Sequence, residues 1–483
     1  MTKTLWPGLH DDGVLYSTVL INRASGNGNT FAVYTRSLLN DDGSRKFDGH
    51  GQLYYPVVAS LLSRPDYEAL LIFLHQSNLF GFLLAVAAFA LATRRSLHLG
   101  WLPASFIGVL GGAAMVAILQ YLQGRPEHGI PFVLLAFLLL GQILKLQAFP
   151  NWLCGFQIGL IACISPLPGI IAGLGSVFSR ATQSGAKNII RAVGQQFLYA
   201  VITWWLIRLM IYDKSIFHWF NRTFGAATLS LFQPEGIITF WGKLSLAPGL
   251  GVLLLLIIFL GMIVFFYLIR CKNVYGNKVV ATVALIGLAY FIYKNGVAWA
   301  ATNYCFLGFF PSAVVWSIQS IKNISSHGCS LSKYTMISIL IIATALPAVG
   351  FFRSCLFQIA IIERGVSFKS ALARINQLKE TLKPNEVILI DGYRNARSAV
   401  VLDGVPWKMR SNFVDDDFED VDKILGENVK YFVTLQFSDP IPKPPQQGTF
   451  QLIENTFNKT PISIGGFVIK KSTPGYSYAI YER

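Results

Sequence analysis

Long apolar runs alternate with short polar connections between residues 69 and 352. Eight of these runs approach the length of about 20 residues that a helix needs to cross the apolar core of a membrane. They lie at 69–93, 99–122, 130–147, 195–212, 247–269, 278–293, 297–321 and 334–352. The pattern therefore predicts a bundle of membrane-spanning helices.

A further apolar region, residues 149–176, has a different pattern because helix-breaking residues interrupt its second half. Proline removes a backbone hydrogen bond from a helix, and glycine weakens the helix around it. The interrupting residues are Pro166, Pro168, Gly169, Gly173 and Gly175. We expect this region to follow a kinked or re-entrant path rather than one straight span.

The character of the chain changes near residue 363, where polar residues become frequent. Strand-like runs follow at 386–391 and 430–436, and a terminal pair reads "GGFVIKK" and "YSYAIYE". The predicted fold class is a polytopic α-helical membrane protein with a C-terminal α/β domain. Its three regions are a first loop at 1–68, a transmembrane helical domain at 69–362 and a soluble α/β domain at 363–483.

Composition supports a membrane environment for most of the chain. Hydrophobic residues make up 53% of the sequence and charged residues 13%, whereas soluble domains average about 25% charged. Of the net charge of +15, +14 lies outside the C-terminal domain, which has 15 basic and 14 acidic residues from position 365 onward. The basic excess sits instead between apolar runs, as the positive-inside rule predicts, so we do not expect nucleic-acid binding.

Four basic clusters fix the predicted topology in a cell (inner) membrane. They include Arg94 and Arg95, and the stretches 180–191, 270–278 and 322–333. Assigning all four to the cytoplasm makes the N-terminal loop, residues 213–246 and the C-terminal domain extracytoplasmic. Residues 149–176 fit this scheme only if they begin and end on the same face of the membrane.

Acidic residues concentrate in the first loop. Seven of the 11 acidic residues before position 365 fall there: Asp11, Asp12, Asp41, Asp42, Asp48, Asp66 and Glu68. In one interpretation Asp12 caps a helix over residues 13–25 that lies along the membrane surface and ends at Gly26. In the other, this carboxylate-rich loop forms a functional surface.

The first loop resembles a known family through "HDDGVLYSTVLINRASGNGNTF" and "FDGHGQLYYPVVASLL". Bacterial membrane glycosyltransferases of the C superfamily (GT-C), relatives of protein mannosyltransferases and aminoarabinose transferases, have an acidic pair, a glycine turn and an aromatic closing motif in this order. The matching residues are Asp11, Asp12, Tyr16, Gly26, Gly28, Thr30, Phe31, His50, Leu53 and Tyr54.

Two further patches extend the resemblance. "FNRTFGAATLS" matches the outer-loop pattern of the family through Asn221, Phe224, Gly225 and Ser230, and "NYCFLGFFPSAVVW" matches a later motif through Tyr304 and Pro311. The sequence departs from the family at Gln52, where proline is usual, and at Asn303, where arginine is usual. The family also has a transmembrane helix before the acidic pair, whereas ten residues precede Asp11, so we expect either that a segment precedes this start or that this member lacks that helix.

The resemblance implies transfer of a sugar from a polyprenyl-phosphate-linked donor to an envelope lipid, glycan or protein. Asp11, with Asp12 second, would act as general base or hold a divalent cation, Mg or Mn, beside the leaving phosphate. The C-terminal domain would assist binding rather than carry the bond-making step. The candidate substrate-binding residues are Tyr16, His50, Tyr54, Asn221, Arg222, Tyr304 and Arg353.

Two other function classes remain open. An O-antigen-type polymerase or ligase would carry its large functional loop late in the chain, whereas the acidic loop here comes first. A polytopic transporter would show paired repeats and charges inside its apolar segments. The sequence favours the glycosyltransferase over both.

Overall fold

The computed structural model describes parts of the chain from residue 60 onward. These parts comprise residues 60–64, 67–121, 129–143, 150–164, 169, 172–173, 176, 186–211, 311, 314, 318, 321, 334–335, 337–342, 344–346, 348–349, 351–352, 373–374, 377–378, 380–390, 407–409, 429–436, 450–456, 462–464, 467–470 and 477–483. The helix predicted over 13–25, like the remainder of the first loop before residue 60, lies outside them.

Five long helices precede residue 212 in the described part of the chain. They are α1 (Tyr67–Leu97), α2 (Trp101–Tyr121), α3 (Gly129–Ile143), α4 (Asn151–Ile164) and α5 (Ala186–Ile211). Four of the predicted helical runs thus coincide with α1, α2, α3 and α5. Further helical residues between 334 and 352 fall in the last predicted run.

Helix α5 begins nine residues earlier than the apolar pattern predicted. Its first turns contain Lys187 and Arg191, which the pattern assigned to a loop because they are charged. Lysine and arginine are nevertheless good helix formers, so a helix continues through them where it leaves an apolar environment. The apolar pattern located the apolar length of the helix and missed its polar start.

Helices α1, α2 and α3 run up, down and up. Glycines of α2 contact α1 in reverse order: a Cβ added to Gly108 would lie 3.0 Å from Ala90 Cβ, and one added to Gly112 would lie 3.1 Å from Phe82 Cδ2. These two helices are therefore antiparallel. Helix α3 begins beside residues 74–78, in the first half of α1, and packs parallel to it.

Helices α4 and α5 are parallel and in close backbone contact. A Cβ added to Gly155 would lie 2.5 Å from the Gln196 carbonyl oxygen, and one added to Gly159 would lie 2.7 Å from the Ala200 carbonyl oxygen. Only glycine permits this approach, which is the use that GxxxG spacing serves between helices in membranes. Successive residues of α4 meet successive residues of α5, so the two helices point the same way.

The chain between these parallel helices returns alongside α4. Gly169 lies against the backbone of Ala162, and a Cβ added to Gly173 would lie 3.4 Å from Ile158 Cγ2. Because later residues of the return segment meet earlier residues of α4, the two run antiparallel. The described residues between 151 and 176 thus have the antiparallel arrangement of a hairpin, as a re-entrant path would require.

The helix contacts combine small residues with large buried side chains such as Phe89 and Phe132, while other large apolar side chains are exposed. Ala85, Ala88 and Ala113 are fully buried, whereas Leu102 is 86% exposed and Phe197 is 70% exposed. Within the described residues, one helix, over Ile72–Leu97, is long and apolar enough to cross a membrane, and the other apolar helices are shorter. A core helix of a soluble protein meets the same length criterion, but only 35% of the most apolar window of this helix is buried.

The C-terminal region contains a mixed sheet of five strands in the described residues. The strands are β1 (Val387–Ile390), β2 (Trp407–Met409), β3 (Val429–Gln436), β4 (Gln451–Asn455) and β7 (Ser477–Glu482), while β5 (Ile462–Ile464) pairs with β6 (Phe467–Lys470). The order is β2-β1-β3-β7-β4, parallel among the first three strands and antiparallel beyond. The four strand predictions are confirmed by β1, β3, β6 and β7.

The centre of the sheet is covered on both faces. Three consecutive residues of β3 are buried, and Phe432 packs against Phe450 and Tyr481 with ring centroids 6.2 and 5.7 Å away. At the edge of the described sheet, the register of β4 shifts between Leu452 and Glu454. Leu452 and Ile453 are about half exposed at this irregularity.

A glycine pair tests the contact between α4 and α5. Gly155→Ala places a methyl group against the α5 backbone, so we expect a loss of about 1–3 kcal/mol in stability from overpacking. Gly194→Ala is the matched control, because no described atom lies within 4 Å of its added Cβ and the same change should gain up to about 1 kcal/mol of helix propensity. Thermal unfolding in detergent measures both, and equal shifts would contradict the close contact.

Candidate functional site

The site residues predicted from the sequence lie outside the described residues. They are Asp11, Asp12, Tyr16, His50, Tyr54, Asn221, Arg222, Tyr304 and Arg353. The described helices and sheet therefore show the framework beside the predicted site rather than the site itself. The helices of this framework contain buried polar side chains, which are uncommon in an apolar helix bundle.

Asn78 is a fully buried polar residue of α1, as is Thr93. Its side chain is 0% exposed, and neither Oδ1 nor Nδ2 has a hydrogen-bond partner among the described residues. A Cβ added to Gly129, the first residue of α3, would lie 3.7 Å from Asn78 Oδ1. The amide therefore faces the N-terminus of α3.

The neighbouring Ser77 illustrates the ordinary way in which a polar side chain is accommodated in such a helix. Its hydroxyl donates to the carbonyl oxygen of Phe73 at 2.8 Å, one turn earlier. Thr93 does the same toward Phe89 at 2.7 Å. Asn78 does not follow this pattern, since its amide points toward α3.

A second polar group lies between α4, the return segment and α5. Asn151 Nδ2 donates to Gln195 Oε1 at 2.7 Å, and Ser176 donates to Gln196 Oε1 at 3.2 Å. Gln196 Nε2 and Gln157 Oε1 are buried without a partner in the described residues. These hydrogen bonds join the hairpin to α5, next to the glycine contact.

Sequence reasoning missed these buried amides. The sequence predictions were based on carboxylates, histidines and basic groups, and they did not distinguish the polar residues within the apolar runs. A usable signal was present, because an asparagine or glutamine within a run of apolar residues is costly to bury unless it is paired or has a function. Applied to the apolar runs, this rule selects a set that includes Asn78, Gln157 and Gln196 together with others such as Gln76 and Gln142.

The C-terminal domain contains a polar cluster around Glu454 of β4. Arg374 Nε donates to Glu454 Oε2, and the Tyr478 hydroxyl donates to Glu454 Oε1 at 2.6 Å. Burial raises the pKa of the Tyr478 phenol, and the hydrogen bond to Glu454 and the charge of that carboxylate raise it further. The cluster joins the segment at Arg374 to two strands of the sheet, so its evident effect is structural.

A second set of contacts fastens the same segment to β3. Lys430 Nζ donates to the carbonyl oxygen of Thr381 at 2.8 Å, and the Thr381 and Tyr431 hydroxyls are 2.9 Å apart.

In the described residues, no three or more His, Cys, Asp or Glu side chains are grouped so that they could hold a metal ion. Asp11, the candidate cation ligand, lies outside those residues.

Glu454→Gln tests the polar cluster of the domain. The amide keeps an acceptor for Tyr478 but removes the negative charge, so the pKa of Tyr478 should fall and stability should drop by about 1–2 kcal/mol. Because the phenol pKa is raised in the folded state, its stabilising effect is present below the ordinary value near 10 and is lost as the pH rises through the folded value.

The measurement is an ultraviolet titration of tyrosinate in the full chain, with Tyr478→Phe identifying the signal of this residue. Thermal unfolding in detergent at neutral pH gives the stability change. An identical titration of Tyr478 in Glu454→Gln and wild type would contradict the assignment of the pKa shift to this carboxylate.

No protein-family model matches the chain, and no curated protein matches its sequence.

Proposed function

We propose that this protein is a membrane glycosyltransferase of the GT-C type. It transfers a sugar from a polyprenyl-phosphate-linked donor to an envelope lipid, glycan or protein on the outer face of the cell membrane. The observation that carries the proposal is the order of motifs in the sequence of the first loop, where an acidic pair, a glycine turn and an aromatic closing motif follow one another within about 45 residues.

The outer surfaces of the described helices support a membrane environment. Large apolar side chains such as Leu102, Phe197 and Leu206 are exposed on these helices, whereas Phe89 and Phe132 are buried with alanine and glycine in the helix contacts. The exposed set favours lipid as the surrounding solvent, because extensive exposed apolar surface is uncommon on a protein surrounded by water. A polyprenyl chain requires such an apolar surface beside the site.

The helix directions support the proposed sidedness. Since α4 and α5 are parallel, the hairpin over 151–176 begins and ends on one face, which is the condition that the positive-inside assignment required. The basic residues Arg94, Arg95 and Arg191 then all fall on the cytoplasmic side. The first loop and the C-terminal domain share the opposite side in this arrangement.

The chemistry of the proposed reaction needs a carboxylate at the membrane surface. Asp11 would remove a proton from the acceptor hydroxyl as that oxygen attacks the anomeric carbon, and the polyprenyl phosphate would leave. Alternatively, Asp11 would hold a divalent cation that stabilises the negative charge on the departing phosphate. His50 and Arg222 are the basic groups proposed to face that phosphate.

Topology is tested first, with reporter fusions. An alkaline phosphatase fused at residue 483 should be active, because the C-terminal domain is proposed to be extracytoplasmic. Fusions at residues 148 and 184 should both be inactive, because the hairpin returns to the cytoplasmic side. An inactive C-terminal fusion that is active with a cytoplasmic reporter would contradict this arrangement.

Asp11→Asn tests the reaction itself. Loss of a positioned general base should lower the rate of sugar transfer by about 10²- to 10⁴-fold while the protein remains folded and inserted. Loss of a helix cap, the alternative role of an acidic residue here, costs only about 1 kcal/mol of stability. Transfer of radiolabelled sugar from a polyprenyl-phosphate donor by purified protein measures the rate.

Asp12→Asn and Asp48→Asn are the matched controls in the same loop. Asp48→Asn should keep most of the activity, and Asp12→Asn should show an intermediate loss. If Asp11→Asn and Asp12→Asn each retained transfer within a few-fold of wild type, both carboxylates would be structural. A polymerase, ligase or transporter would then become the better assignment.

A further inference from the structure

We infer that the corner between α1 and α2 binds an anionic phospholipid of the cytoplasmic leaflet. This α1–α2 corner consists of Arg94 and Arg95 at the end of α1 and of Trp101 and Leu102 at the start of α2. The inference goes beyond sugar transfer, and it rests on the proposed membrane location rather than on the proposed reaction.

A tight turn brings the ends of the two helices together. Helix α1 ends at Leu97, His98 has a φ of 55°, and α2 begins at Trp101. A residue with left-handed backbone directly after a helix ends that helix and turns the chain sharply. The last turn of α1 therefore lies beside the first turn of the antiparallel α2.

Arg94 and Trp101 form the centre of the corner. The guanidinium carbon of Arg94 lies 3.8 Å from the centroid of the Trp101 ring, which is a close cation–π contact. The ring positions the guanidinium through its face rather than through a carbonyl or carboxylate oxygen. The contact therefore leaves the N–H donors of Arg94 for another acceptor, and a phosphate group matches their geometry.

The exposed surface of the corner is positively charged. Both Arg94 and Arg95 are exposed, and Trp101 is 54% exposed. The sequence has no acidic residue between Glu68, at the opposite end of α1, and Glu127. Anionic headgroups of the cytoplasmic leaflet attract basic residues next to a membrane span. Charge complementarity thus favours an anionic phospholipid over a zwitterionic one.

An exposed apolar strip on α2 begins beside the charged part of the corner. Leu102 is 86% exposed, Phe106 is 57% exposed and Val109 is 38% exposed. Their spacing of four and three residues places them on one face of the helix, over about 10 Å of its length. Because α2 runs from this corner toward the opposite leaflet, the strip lies at the depth of an acyl chain.

These two features together match the two ends of one phospholipid. The arginines lie where a headgroup phosphate would lie, and the strip lies where an acyl chain would follow it. Arginines at helix ends also extend to the membrane surface without binding any particular lipid. The position of Arg94 over Trp101 distinguishes the proposed site from that general behaviour, and the test compares the two.

Photo-cross-linking of the full chain in mixed detergent micelles tests the site. The probes are phosphatidylglycerol and phosphatidylcholine with identical diazirine-labelled acyl chains, and mass spectrometry maps the labelled residues. Phosphatidylglycerol should label residues 102–109 more strongly than phosphatidylcholine does. Micelles expose both ends of the helices, so the result does not depend on the assigned topology.

Two variants remove the proposed headgroup contact. Arg94→Gln should lower the phosphatidylglycerol preference at residues 102–109 by about 5-fold, the factor that one arginine contributes near an anionic surface. Trp101→Leu keeps both charges and an apolar side chain but removes the ring beneath Arg94. It should lower the preference by about 2- to 5-fold.

Arg191→Gln is the matched control, because Arg191 is also exposed, lies near the start of α5 and is assigned to the cytoplasmic side. It removes the same charge and should leave the preference at residues 102–109 within about 2-fold of wild type. Thermal unfolding in detergent checks that each variant is folded, and exposed substitutions of this kind should change stability little.

Three results would overturn the inference. Equal labelling of residues 102–109 by both lipids in wild type would show that the headgroup is not recognised. Equal losses in Arg94→Gln and Arg191→Gln would show a general attraction of anionic lipid to a basic protein. Labelling by neither lipid would show that protein covers the strip. None of these results depends on sugar transfer, which Asp11→Asn tests separately.

Discussion

Backbone contact between α4 and α5 is the constraint on which the arrangement of the helices depends. Gly155 and Gly159 bring the two helices so close that a methyl group at either position would strike a carbonyl oxygen of α5. The contact fixes the helices as parallel, and parallel helices require the chain between them to return. The hairpin, and the sidedness proposed for the rest of the chain, therefore depend on the absence of side chains at Gly155 and Gly159.

When lipid surrounds such a bundle, dispersion and hydrogen bonding hold the helices together. The hydrophobic effect contributes little to their association, because lipid solvates apolar side chains as well as the protein interior does. The pairs Asn151–Gln195 and Ser176–Gln196 supply hydrogen bonds beside the glycine contact. They join the three segments of the hairpin region and specify one register. Some large side chains, such as Leu102, lie exposed on the outer surface, where lipid would solvate them.

The sequence predicted the elements that depend on periodicity and missed the features that depend on contacts. The apolar runs located α1, α2 and α3, and short β-branched runs located β1 and β3, because a single face or length decides these elements. The start of α5 was missed, since Lys187 and Arg191 are helix formers as well as charges. Which glycines touch another backbone, and which amide faces a helix end, depends on residues distant in sequence, so Gly155 and Asn78 were not singled out. The predicted carboxylates, Asp11 and Asp12, lie outside the described residues, and their role rests on the motif.

The register shift in β4 affects how separate molecules meet. An edge strand presents unpaired N–H and C=O groups that can template pairing with another chain, and Leu452 and Ile453 would add apolar contacts to such a pair. The shift between Leu452 and Glu454 interrupts the regular spacing of those groups. In the proposed membrane location, copies of the protein would meet at high local concentration and in a fixed orientation. The irregular edge of the described sheet would then oppose regular pairing between the sheets of neighbouring copies.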